Sequence, residues 1–245
     1  MEATTFMISI THTENLTGAR INGDYWDLNE LNQAFYAVIG DENKYYDWEG
    51  SRQRILGISY EVHHALQGER NLDYVNNGLT KETMKQNGVV ASEKNIYYSV
   101  DVLWPELIFT SIALNDFIRL YMKAHTHPSL DIHITTIRKF QSSIGEALQS
   151  VMSKEEHDRF MKILSSNETN VQEYAIQFVD MLNLAYIDST KENREKNLGT
   201  IALKLAIQDK DYAAFRDQVL MSANKTKSDI HDMAITKKYP EDFEW

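Results

Sequence analysis

Eight of the ten glycines in this 245-residue chain fall before residue 90, and only Gly145 and Gly199 follow. Glycine marks turns and weakens helix interiors, so the first third should be rich in turns and the remainder helical. Residues 7–13 alternate and are rich in β-branched side chains. The turn steps Asn15-Leu16-Thr17-Gly18 and Asn22-Gly23 enclose a second short strand near residues 19–21, which predicts an N-terminal hairpin.

A first helix is expected from Asp27 as N-cap with Glu30 three residues on, Trp26 and Leu31 forming a hydrophobic staple, and Gly40 ending it. A second runs over residues 50–67 and is closed by Gly68. Residues 95–103 alternate as a strand, and Pro105 opens a helix over 106–123 that is apolar on most sides and so belongs in the core. Past a loop at 125–133, helices are predicted near 133–152, 154–165, 171–187, 196–208 and 211–223. Two have capping boxes, Ser153 with Glu156 and Asn170 with Glu173. In the charged tail, residues 225–245, Phe243 and Trp245 are expected to dock. The fold class is therefore α+β and mostly helical: a small N-terminal β-sheet with helices, then a helical C-terminal part. With no repeat and no low-complexity linker, residues 1–128 and 129–245 are expected to be subdomains of one compact body.

The 36 acidic residues outnumber the 25 lysines and arginines, for a formal charge of -11, and no basic patch interrupts the excess. Nucleic acid and anionic membrane are repelled by such a surface, so neither is an expected partner. Residues 1–50 hold nine acids against Arg20 and Lys44 alone, which suits either a basic protein partner or plain solubility. Without cysteine there are no disulfides, thiolate zinc sites or cysteine nucleophiles. Residues 1–10 lack the basic and apolar regions of a secretory signal. The longest apolar run, 102–114, contains Pro105 and Glu106 and is too short to span a bilayer. A cytoplasmic protein is expected.

Chemistry concentrates on the second helix. Ile55, Ile58, Val62 and Leu66 form one stripe at helical spacing, and Gln53, Tyr60, His64 and Gln67 lie opposite it. That outer face is either solvated or part of a ligand pocket lined by Arg52, Arg54, Tyr60, Glu61, His64, Gln67 and Arg70. In such a pocket His64 would be the acid or base and an arginine would hold an anion. Glu61 and His64 make a Glu-x-x-His step, but a di-iron centre needs a second one, which the chain lacks, so Glu61 should pair with an arginine or face solvent. His125, His127, Asp131 and His133 have ligand spacing. They lie in a loop broken by Pro128 with no hydrophobic shell, so solvated histidines and no metal are expected. No phosphate loop, G-x-S-x-G elbow or H-E-x-x-H is present; no cofactor is implied and no catalytic residue can be assigned. Asn115 and Asp116 interrupt the apolar helix, and Asp116 should be partnered by Arg119 or by an arginine of the second helix.

Three runs, NLTGARINGDYWDLNEL, RILGISYEVHHALQGERNLDYVNNG and VLWPELIFTSIALNDFI, resemble an uncharacterised bacterial family known only as a domain of unknown function. The likeness spans residues 7–120. Asp24-Tyr25-Trp26, Arg54-Ile55-Leu56-Gly57, His64-Ala65, Gln67-Gly68, Arg70-Asn71 and Trp104-Pro105-Glu106 carry it. His63 departs from the pattern, and the resemblance implies kinship without an activity. Absent catalytic motifs and an acidic N-terminal region favour a protein acting through protein contacts, with a homodimer as the statistical default. The alternative is an enzyme or a binder of a small anion or metabolite at the second helix.

Overall fold

The structure, a computed structural model, describes residues 7–166 and 168–245. Residues 1–6, on which the expected lack of a signal partly rests, lie outside the described residues. Strands β1 (Ser9–His12) and β2 (Gly18–Gly23) form the predicted hairpin, followed by α1 (Tyr25–Ile39), α2 (Glu49–Leu66), β3 (Asn71–Asn76), α3 (Lys81–Asn87) and β4 (Lys94–Leu103). Helix α4 (Trp104–Lys123) leads into α5 (Ile132–Gln149), α6 (Lys154–Ser165), α7 (Gln177–Ile187), α8 (Lys191–Ile207) and α9 (Lys210–Thr226). The sheet is antiparallel throughout, in the order β1-β2-β4-β3. The fold is α+β and mostly helical, as expected.

Ala19 lies opposite Val102 and Ile21 opposite Val100, so these four share one face of the sheet, and all are buried. Helices α1 and α2 pack against β4 on this side of the molecule, and α5 packs against α1 and β1. Helix α4 follows β4 without a loop, with Pro105 in its first turn, and is buried nearly all round. One apolar cluster joins Ile8 of the N-terminal region to Tyr212 of α9. No helix among the described residues is long and apolar enough to cross a membrane.

Three sequence expectations need correction. Asp24, not Asp27, is the N-cap of α1, with Asp27 completing the capping box, so Trp26 falls inside the first turn and is 69% exposed rather than stapled. Asn170 and Glu173 do not open a helix: Glu173 has φ 47 and its N–H is drawn to Asp47 O at 2.6 Å, which delays α7 to Gln177. Strand β3 and helix α3 occupy a stretch to which periodicity assigned no element. The Ser153 and Glu156 capping box is present.

Asn115 and Asp116, inside α4, are tightly partnered. Asp116 accepts from Arg119, from Trp48 Nε1 at 3.0 Å and from Val171 N at 2.8 Å. Asn115 donates to Leu164 O at 2.6 Å and accepts from Arg138 at 2.5 Å and Gln141 at 3.1 Å. The tail docks: Thr17 Oγ1 donates to Glu244 O at 2.6 Å, Asn15 N donates to Trp245 O at 2.7 Å, and Gln177 Nε2 donates to Ile230 O and Met233 O, both at 2.7 Å. Gly18 lets both the paired strand and the tail come close, since a Cβ there would stand 2.3 Å from Val102 O and 2.8 Å from Trp245 Cζ3.

Candidate functional site

A cleft of about 530 Å³ opens between α2, the end of β4, the start of α4, α7 and the tail. Helix α2 presents Gln53, Arg54, Gly57, Ile58 and Glu61, four positions apart or adjacent to those that are, so they form one flank. Strand β4 adds Asp101, Val102 and Leu103, α4 adds Glu106, α7 adds Asp180 and Asn183, and the tail adds Tyr239 and Trp245.

Arg54 is the centre of the polar set. Its Nη1 donates to Glu106 Oε2 at 2.8 Å, and its Nη2 meets Asp180 Oδ2 at 2.5 Å and donates to Ile176 O at 3.0 Å. Burial opposes the charge of Arg54, but Glu106 and Asp180 override it and hold its pKa above the ordinary value. Glu106 also accepts from Asn183 Nδ2 at 2.9 Å; burial pushes its pKa up, against the pull of Arg54 and Asn183. Tyr239 accepts from Asn183 Nδ2 at 3.0 Å and donates to Asp180 Oδ1 at 2.8 Å, and burial, reinforced by Asp180, keeps its hydroxyl protonated.

Of the seven residues proposed from the sequence, Arg54 and Glu61 line this cleft and the other five do not. Arg52 turns inward to Glu49 at 3.0 Å and Gly40 O at 3.1 Å. Tyr60 and His64 pack edge to face with centroids 4.2 Å apart, and His64 Nδ1 contacts Glu69. Gln67 Nε2 lies 3.1 Å from His63 Nε2, and Arg70 pairs with Glu61 at 2.7 Å. Glu106, Asp180, Asn183 and Tyr239 escaped sequence reasoning, because they come from elements 50 or more residues away from α2 in the chain and meet only on packing. Pro105-Glu106 at a helix start was the one local signal. In the histidine loop, His125 stacks on Tyr121 at 3.8 Å and its Nδ1 lies 2.7 Å from Tyr121 O, while Asp131 caps α5. Among the described residues no three His, Asp or Glu side chains converge as a metal site would require.

A second surface lies at the far end of the sheet. Leu72 faces Tyr98 and Tyr74 faces Ile96, on the face that carries Val100 and Val102. There the core face runs out from under its helices: Leu72, Tyr74 and Ile96 are 44%, 66% and 45% exposed. Tyr98 approaches Tyr25 at 6.5 Å, and Tyr25 approaches Trp26 at 5.3 Å, so the strip continues onto the start of α1. Strand β3 is the edge of the sheet and pairs with β4 alone among the described residues.

Residues 8–245 match the model of a domain of unknown function (DUF6904), so the chain belongs to that family, and the kinship extends well beyond residue 120 into the C-terminal half. Neither the curated proteins nor the solved structures contain a match.

Proposed function

We propose that this member of the DUF6904 family is a polypeptide-binding protein that takes an extended partner segment along β3 at the uncovered end of its sheet. The observation that carries this is the continuation of the core face into an exposed apolar strip beside an edge strand. An edge strand offers a row of unpaired backbone donors and acceptors, and an added strand would satisfy them while its alternate side chains cover Leu72, Tyr74 and Ile96. Contiguous apolar surface next to such an edge marks an interaction site more often than chance. Asp24 and Asp27 stand beside Tyr25 and Trp26, and the whole chain carries a formal charge of -11, which favours a partner strand flanked by basic residues over a second copy of this acidic chain. A cytoplasmic setting and bacterial kinship, both read from the sequence, belong to this proposal.

The test is binding of labelled decapeptides that alternate apolar residues with lysine, beside matched peptides carrying glutamate. The basic set should bind and slow hydrogen exchange at residues 71–76, and Tyr74→Asp should weaken binding by about tenfold or more. Equal binding by Tyr74→Asp, or exchange at β3 unchanged by bound peptide, would reject the proposal. Self-association in sedimentation that Tyr74→Asp abolishes would put a second copy on this face instead.

A further inference from the structure

The cleft at α2 is a separate site from the sheet end, and its chemistry defines what it can hold. We infer that it binds an organic cation, an amidinium, guanidinium or primary ammonium group carried on an apolar body.

Four carboxylates line the cleft, Glu61, Asp101, Glu106 and Asp180, against the single arginine Arg54. Arg70 neutralises Glu61 and Arg20 neutralises Asp101, the latter through two bonds of 2.7 and 2.8 Å. Arg54 stands between the two that remain, so one negative charge is left over. Both terminal nitrogens of Arg54 are committed to Glu106, Asp180 and Ile176 O, which leaves an anion little to bind.

Asn183 supplies an independent sign of a missing donor. Its side chain lines the cleft, is 1% exposed, and has no partner for Oδ1. The amide cannot be turned round to cure this, because Nδ2 must face the acceptor Glu106. A buried carbonyl without a donor costs about 1 to 3 kcal/mol, and it belongs to a side chain whose Nδ2 already bonds two groups of the cleft, Glu106 and Tyr239.

Gly57 is the second sign. It stands in the middle of α2, where glycine costs about 1 kcal/mol relative to alanine. Its helix does not need the small residue for packing, since a Cβ there would meet nothing within 4 Å. The missing side chain instead leaves the floor of the cleft open. Ile58, Val102, Leu103 and Trp245 give the space apolar walls, and an indole face attracts an organic cation. A bare metal ion is a poor occupant, because no three carboxylates or imidazoles among the described residues converge on a point.

The experiment uses the full chain with benzamidinium and phenethylammonium as probes and benzoate as the anion of matched shape, followed by the indole N–H shift of Trp245 and by amide shifts of Gly57 and Asn183. Both cations should shift these signals saturably below about 10 mM, and benzoate should not. Glu106→Gln and Asp180→Asn should each weaken cation binding by about tenfold, and circular dichroism shows whether each is folded. Gly57→Leu keeps every charge and should abolish binding while the chain remains at least as stable. Tyr74→Asp, at the sheet end, should leave it unchanged, which separates this site from the polypeptide surface. Benzoate binding as well as benzamidinium, no saturable shift with either cation, or full cation binding by Gly57→Leu would each overturn the inference.

Discussion

Two sets of charged side chains lie within a few turns of each other on α4, and they differ in one respect. Around Asp116, each partner is protein: Arg119, the Trp48 indole and the Val171 amide all converge on the carboxylate. Around Glu106, the bonds to Arg54 and Asn183 leave an unpartnered Asn183 Oδ1 and an open cleft with a spare negative charge. Both sets look alike in the sequence, as a carboxylate in an apolar helix with an arginine available. Completeness of hydrogen bonding, not the presence of charge, separates a structural ion pair from a site.

The largest expected effect tests the structural set. Asp116→Ala takes the carboxylate from Arg119 and leaves the buried Val171 amide and the half-buried Trp48 indole N–H without an acceptor, and should cost about 3 kcal/mol in urea unfolding. A cost below about 1 kcal/mol would erase the contrast between the two sets. The next effect has the opposite sign. Gly57→Ala restores helix propensity without a clash and should raise stability by about 0.5 to 1 kcal/mol, as expected where space is kept for a ligand at the expense of the fold. A loss of stability there would mean that the cleft is filled in the native protein.

Glu106→Gln should change stability least, within about 0.5 kcal/mol near neutral pH, because losing a buried charge saves its desolvation while the amide keeps an oxygen for Arg54, which Asp180 still neutralises. Its effect should depend on pH with a definite sign. Glu106 has a pKa raised in the folded protein, so the native state holds the proton more tightly than the unfolded chain. Wild type should therefore lose stability relative to Glu106→Gln as pH rises from the ordinary glutamate value of 4.5 through the raised one. Parallel pH profiles would show that Glu106 is no more perturbed than a surface carboxylate.

Much of this was legible in the sequence where the signal is local. The stripe Ile55, Ile58 and Val62 gave the buried face of α2, and Ser153 with Glu156 gave the start of α6. Asp116 found Arg119 at the predicted spacing. Where two local frames compete, the sequence is ambiguous: Asp24 with Asp27 and Asp27 with Glu30 are both capping boxes, and packing chose the first. Strand β3, Asn-Leu-Asp-Tyr-Val-Asn, hides because it is an exposed edge with few β-branched residues, and its pairing to β4 is a tertiary fact. Residue type alone suggested that the arginines of α2 bind an anion. The carboxylates that already hold Arg54 arrive from α4 and α7, so the sign of the site could be read only after folding.

The carboxyl carbon of Glu106, followed by NMR through a pH titration with and without benzamidinium, tests the central claim most directly. A buried carboxylate in a cation site should titrate above the ordinary glutamate range, and bound benzamidinium should draw that pKa down, because the cation favours the ionised form. A Glu106 that titrates in the ordinary range and ignores benzamidinium would show that its bonds to Arg54 and Asn183 are complete, and that this set, like the one around Asp116, only holds the fold together.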